Sequence, residues 1–160
     1  MAEALRNKPR EVTASDGSTE HVGTLSICLR CRDGQEDSFG DERGGVRLAK
    51  AVVAAGVETA GVAVRGVHCL SQCKRPYAVA ISGPERFTYL FGDLDPARDV
   101  AAVIALAQLY AASPSGFMAR DSRPESMQAG VLGRVPPFGW RGDAVETVDL
   151  IPHPASETPR

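Results

Sequence analysis

The sequence has no apolar run that approaches the roughly 20 residues of a transmembrane helix, so it does not predict a membrane-spanning protein. Residues 1–23 also lack the apolar stretch of a secretory signal peptide, because charged side chains such as Arg6, Lys8 and Arg10 interrupt them. We therefore expect a cytoplasmic protein.

An excess of charge of either sign is missing as well. The 18 basic and 20 acidic residues give a formal net charge of -2, which creates no overall field to gather nucleic acid or an anionic membrane. Also absent are a Gly-rich phosphate loop, a hydrolase nucleophile elbow and a histidine–carboxylate zinc motif. With 43% hydrophobic residues, the composition is typical of a soluble globular protein.

Composition divides the chain into three parts. Residues 1–22 predict a flexible arm, because they carry too little apolar surface to offset the entropy of ordering. Residues 23–112 predict the folded domain, and residues 113–160, with seven of the 11 prolines, predict a Pro-rich extension. We expect the extension to pack partly on this domain or on a second subunit of a homodimer, because it contains an apolar cluster. The cluster consists of Val131, Leu132, Val135, Phe138 and Trp140.

The period of the apolar residues predicts the elements of the domain. Alternating residues predict strands at 24–28, 61–67, 77–82 and 87–91, the last two forming a hairpin. Helical spacing predicts one helix over 42–55 and a second from an Asp95 N-cap to about Ala112. A crossover helix makes the first two strands parallel, so the order β-α-β-β-β-α predicts an α/β fold with a four-stranded mixed sheet. This is the thioredoxin-like topology without its first strand and helix.

The four cysteines form two pairs, Cys28-Leu-Arg-Cys31 and Cys69-Leu-Ser-Gln-Cys73. Each pair follows a predicted strand, and parallel neighbouring strands would bring both pairs to the same edge of the sheet. Four thiolates at one point need a cation, and sulfur ligands select zinc, an iron–sulfur cluster or copper(I). The sequence therefore predicts one metal site, which favours an electron carrier or a metal-binding protein over an enzyme.

Two other roles for the cysteines stay open. Free cysteines are often small buried core residues. A C-x-x-C pair near a βαβ unit is also typical of thiol–disulfide oxidoreductases. Against that role, residues 32–41 predict a loop where a redox dithiol needs a helix N-terminus, and Cys69 and Cys73 would have no function.

Basic residues flank the cysteines. Arg30, Arg32, Lys74 and Arg75 are placed to offset an anionic metal site and to donate hydrogen bonds toward its sulfur atoms, although solvated surface charge is the alternative for each. His68 precedes Cys69, where we expect it beside the ligands or exposed rather than as a ligand.

The motifs resemble a bacterial family. Cys28 and Cys31, the stretch Cys69-Leu-Ser-Gln-Cys73-Lys-Arg-Pro76, the stretch Thr88-Tyr-Leu-Phe-Gly-Asp-Leu-Asp95 and the stretch Arg134-Val-Pro-Pro137 are similar to the family catalogued as domain of unknown function 1636. Its members are described as predicted metal-binding proteins, and the resemblance spans about residues 24–138.

More distantly, the element order and the second cysteine pair resemble the thioredoxin-like ferredoxins, in which two cysteine pairs hold a [2Fe–2S] cluster. The resemblance implies such a cluster on Cys28, Cys31, Cys69 and Cys73, electron transfer, and a redox partner protein. Those ferredoxins separate the first pair by four or more residues, and this chain by two, so a structural or metal-handling zinc site is the alternative. A proline at this edge of thioredoxin-like proteins is often cis, which we expect of the Arg75–Pro76 bond.

Overall fold

The computed structural model describes residues 20–148 and 150. The predicted arm, residues 1–22, lies outside the described residues except for 20–22, and so do residues 149 and 151–160 of the predicted extension. Five strands form one mixed sheet in the order β2-β1-β3-β4-β5. They are β1 (Thr24–Cys28), β2 (Ala63–Val67), β3 (Val79–Ser82), β4 (Thr88–Phe91) and β5 (Val131–Val135).

The first four strands have the predicted arrangement. Strand β1 pairs in parallel with β2 and antiparallel with β3, and β3 pairs antiparallel with β4. The α/β, thioredoxin-like prediction is confirmed. The strand count of four is wrong, because β5 adds to the sheet beside β4.

The fifth strand comes from the apolar cluster in the predicted extension. It pairs antiparallel with β4, with an irregularity between Leu90 and Phe91. Further along, the Trp140 ring packs edge-on against Phe87 at 4.8 Å between ring centroids, whereas Phe138 is fully exposed. Gly133 and the two prolines after Val135 break the apolar alternation that reveals the other strands, which is why sequence alone did not predict β5.

The helices are α1 (Gly44–Ala54), α2 (Val100–Ala112) and the short α3 (Ser126–Ala129), with 3₁₀ turns at Glu36–Phe39 and Val57–Ala60. Helix α2 begins later than predicted. Asp95 does accept backbone hydrogen bonds, from the N–H groups of Ala97 and Arg98 at 2.7 and 2.9 Å, but it caps a separate turn. Asp99 then takes the N-cap position of the helix.

One face of the sheet forms the core. Leu25, Ile27, Val79 and Ile81 are fully buried, as the alternation predicts, and join one hydrophobic cluster with side chains of α1 and α2. The predicted aromatic row Phe87, Tyr89 and Phe91 is also fully buried. In the described part of the chain, no helix combines the length and apolarity needed to cross a membrane.

Candidate metal centre

Parallel pairing of β1 and β2 brings the two cysteine segments to one edge of the sheet. Cys28, the last residue of β1, lies opposite Val67, the last residue of β2. The next residue, Leu29, donates its N–H to the Val67 carbonyl at 2.8 Å, so the strands stay together as they leave the sheet. The register therefore places the two loops that carry the remaining cysteines side by side.

The first pair is buried. Cys28 and Cys31 are 3% and 4% exposed, and their thiols are in hydrogen-bond contact with each other. Burial raises the pKa of the Cys31 thiol to about 11, although a hydrogen bond from the Ala78 backbone acts in the opposite direction. Without a metal, Cys31 is thus a protonated thiol at neutral pH and a poor nucleophile.

The second pair is exposed. Cys69 and Cys73 lie in the loop after β2, and their side chains contact each other. The Ser71 N–H donates to Cys69 Sγ at 3.2 Å, and this backbone hydrogen bond lowers the pKa of the Cys69 thiol. Ser71 itself has a left-handed backbone conformation, with φ of 58°.

One cavity of about 380 Å³ is lined by Cys31, Cys69 and Cys73 together with three arginines. Cys28 contacts Cys31, and all four cysteines are free of disulfide bonds. In the described residues, no three His, Cys, Asp or Glu side chains are grouped closely enough to hold a metal ion as they are placed. The structure thus brings the cysteines together as two contacting pairs, and their common ligation stays a prediction.

This donor set fits a cofactor with soft metals. Four sulfur atoms and no hard oxygen ligand line the cavity or contact its lining, which selects zinc or an iron–sulfur cluster over Mg²⁺ or Ca²⁺. Two separate cysteine pairs also match a cluster of two irons, because each iron of a [2Fe–2S] cluster takes two protein ligands.

The start of α1 also reaches the site. The Gly45 N–H donates to the Cys31 carbonyl at 3.2 Å. The loop after Cys31 therefore folds back and brings the positive end of a helix against the first pair, which stabilises negative charge there. Residues 32–41 do form a loop before the helix, as predicted, but the loop returns to its own starting point and so does not separate the helix N-terminus from Cys31.

Comparison with known proteins bears on these observations. Residues 25–137 match the model of a family described as "Protein of unknown function (DUF1636)". The chain belongs to this family. The match confirms the resemblance that the cysteine and proline motifs indicate.

A solved structure, that of a thioredoxin-like [2Fe–2S] ferredoxin from Aquifex aeolicus, is similar to this DUF1636 chain. The sequences are 13% identical, with a TM-score of 0.45, over 76% of this chain and 99% of the other. At these values, the likeness carries no inference about the cofactor of this chain. No curated protein matches the sequence.

Three residues beside the first pair were not predicted for the DUF1636 site. The Tyr77 hydroxyl donates a hydrogen bond to Asp33 Oδ2, and Arg47 Nη2 lies 2.6 Å from the same oxygen. Burial acts to raise the pKa of Asp33, but the hydrogen bonds from Tyr77 and Arg47 hold it below its usual range. Burial and the Asp33 carboxylate raise the pKa of Tyr77. The residues are far apart in sequence, and no local motif joins them.

The predicted basic residues occupy different positions. Arg30 and Arg32 line the sulfur cavity, as does Arg43, which sequence reasoning missed. His68 and Lys74 are exposed next to Cys69 and Cys73. The Arg75 guanidinium instead binds Asp93, with Nε 2.8 Å from each carboxylate oxygen.

The peptide bond between Arg75 and Pro76 differs from the expectation. The cis bond of this loop joins Pro76 to Tyr77, and Arg75–Pro76 is trans.

Proposed function

We propose that the chain holds a [2Fe–2S] cluster on Cys28, Cys31, Cys69 and Cys73 and carries single electrons to or from a partner protein in the cytoplasm. The observation that carries this proposal is the arrangement of the sulfur atoms. Adjacent parallel strands deliver two contacting pairs, and three of the four cysteines, Cys31, Cys69 and Cys73, line a single cavity. A [2Fe–2S] cluster takes protein ligands in two such pairs and supplies one-electron chemistry.

The first cysteine pair of the site is buried and the second is accessible to solvent. Cys28 and Cys31 lie in the core, where rigid packing fixes their positions, whereas Cys69 and Cys73 are exposed. A site held at the surface in this way is accessible to a docking partner. The N–H of Ser71, the Ala78 backbone and the start of α1 direct positive dipoles at or near the pairs, and donors to sulfur raise a cluster's reduction potential.

Zinc is the second candidate, favoured by the two-residue spacing of Cys28 and Cys31. Four thiolates satisfy a closed tetrahedral zinc site, which would serve structure or metal handling without redox chemistry. A thiol–disulfide enzyme is less well supported, because it would use one cysteine pair and give the other no function.

Metal analysis of the anaerobically purified protein tests the proposal. Visible absorption bands, with about two irons and two sulfides per chain, would support a [2Fe–2S] cluster. A colourless protein that contains one zinc ion per chain would overturn it. The ligands are tested by Cys28→Ser and Cys69→Ser, which we expect to lose metal and stability together, because site assembly and folding are linked. Gln72→Ala, a change in the same loop, is the matched control and should retain the metal.

A further inference from the structure

Four cations surround the sulfur cavity, and we refer to Arg30, Arg32, Arg43 and Lys74 as the basic rim. The three arginines line the cavity. Lys74 follows Cys73 and is exposed, as are Arg30 and Arg32. The rim thus joins side chains from three segments of the chain, namely the loop after β1, the N-cap of α1 and the loop after β2.

The carboxylates directly next to rim residues in sequence, Asp33 and Glu42, are paired with other cations. Asp33 pairs with Arg47 at 2.6 Å, and Glu42 Oε1 lies 2.9 Å from Lys50 Nζ. Asp93 is bound by Arg75. Within the described residues, no ion pair joins the basic rim to a carboxylate, and Arg43 instead donates Nη1 to the Arg30 carbonyl at 3.2 Å.

The metal site would neutralise only part of this charge. Four thiolates sum to about -2 with one zinc ion, and also with two ferric ions and two sulfides. Four rim cations against a centre of about -2 leave a surplus of about +2 at this edge. The chain as a whole has a formal net charge of -2, so this surplus is opposite in sign to the net charge of the chain.

We propose that the basic rim docks the acidic face of a partner protein. Carboxylates on that face would contact the rim cations around the cavity, while the partner's redox group faces the sulfur atoms. This inference rests on the proposed function for its purpose, electron transfer, but the binding itself depends only on the rim. Charge complementarity of this kind accelerates and orients association more than it tightens it.

Two other anionic ligands fit the rim less well. A small anion held among the cations would lie against the thiolates, which carry charge of the same sign. Nucleic acid binding without sequence preference uses aromatic side chains as stacking platforms, and none lines this cavity.

A labelled polyglutamate peptide is a suitable probe, with fluorescence anisotropy as the readout and the full-length, metal-loaded chain as the receptor. We expect binding that weakens between about 50 and 200 mM NaCl, because exposed charges are screened. Arg32→Glu and Lys74→Glu should each weaken binding about threefold or more, as expected for reversal of an exposed charge at an interface. Arg120→Glu is the matched control, because Arg120 is an exposed arginine that does not line the cavity, and it should leave binding nearly unchanged.

The outcomes separate this inference from the proposed function. Equal weakening by Arg120→Glu, or tighter binding of an oligothymidylate of the same charge, would overturn the basic rim as a protein-docking surface. A protein that contains zinc and still binds the peptide through Arg32 and Lys74 would support the docking surface and overturn the electron-carrier function. A [2Fe–2S] protein whose peptide binding is insensitive to both variants would overturn the docking surface and support the electron-carrier function.

Discussion

Gly45 lies directly against the carbonyl oxygen of Cys28, at a distance that leaves no room for a side chain. A Cβ atom at this position would stand 2.0 Å from that oxygen, and the contact is with backbone, which cannot rotate away. We predict that Gly45→Ala moves the start of α1 away from the first cysteine pair and destabilises the fold by roughly 1–3 kcal/mol, the usual cost of overpacking. Urea unfolding measures the loss, and metal content measures its effect on the site.

Gly133→Ala is the control for this prediction. Gly133 lies in β5, and the nearest atom to an added Cβ is 4.0 Å away, on Leu90. The Gly133→Ala substitution should change the free energy of unfolding by less than about 0.5 kcal/mol, as surface substitutions usually do when they create no clash or cavity. Equal stability of Gly45→Ala and Gly133→Ala would contradict the close approach of α1 to Cys28.

The Tyr77–Asp33 hydrogen bond should stabilise the loop that follows Cys31. Tyr77 is 4% exposed and donates to a carboxylate. Tyr77→Phe should cost about 1.5–3 kcal/mol, because the lost hydrogen bond has a charged acceptor. A double-mutant cycle with Asp33→Asn, measured by urea unfolding, isolates the pair. Additive effects of the two substitutions would show that the residues do not interact.

The Arg75–Asp93 pair should hold the second cysteine loop in place. Asp93 also donates its N–H to the Arg75 carbonyl at 3.2 Å, so side chain and backbone both join the two loops. Asp93→Asn keeps a residue that tolerates the φ of 58° at this position but removes the charge. We predict faster release of metal to a chelator, with little change in unfolding. Asp121→Asn, at an exposed carboxylate on another segment, should release metal at the wild-type rate.

The Asp99 carboxyl should make the stability of the folded state depend on pH. Burial acts to raise the pKa of this carboxyl, but hydrogen bonds from Arg98 and from the Asp95 N–H hold it below its usual range. A depressed pKa in the folded state means that the stabilisation is present above the unfolded-state pKa and is lost as pH falls through the folded-state value.

The measurement compares the wild type with Asp99→Asn. At neutral pH the variant should be less stable by about 1 kcal/mol, because the amide oxygen is a weaker acceptor than the carboxylate for the hydrogen bonds from Arg98 and the Asp95 N–H. The difference should shrink as pH falls below about 4, where the wild-type carboxyl takes up its proton. A difference that stays constant down to pH 2 would show that the charge of Asp99 is not its source.

Local patterns predicted most of the sheet. Alternation placed Leu25 and Ile27 in the core, and the turn between β3 and β4 defined the hairpin, because neighbouring residues determine both features. The parallel pairing of β1 and β2 also followed from local information, since a single crossover helix leaves few alternatives. That pairing places the cysteine segments at one edge.

Contacts between distant residues were not predictable in the same way. The loop after Cys31 returns α1 to that residue, and only tertiary packing determines its path. The sequence pattern predicts Tyr77 as an inward-facing strand residue. No neighbouring residue in the sequence indicates that its hydroxyl contacts Asp33. The start of α2 was misplaced because Asp95 and Asp99 are both good capping residues. The Asp95 side chain caps a turn, and the helix begins only after Asp99.

Strand β5 forms one border of the sheet, and Pro136 and Pro137 follow it directly. Proline has no N–H to donate, so a neighbouring chain that aligned with β5 would lose its hydrogen-bonding partners as soon as the strand ends. The exposed Arg134 adds a positive charge to this short edge. The two prolines and Arg134 thus protect the added strand from edge-to-edge aggregation, the hazard that accompanies every open sheet.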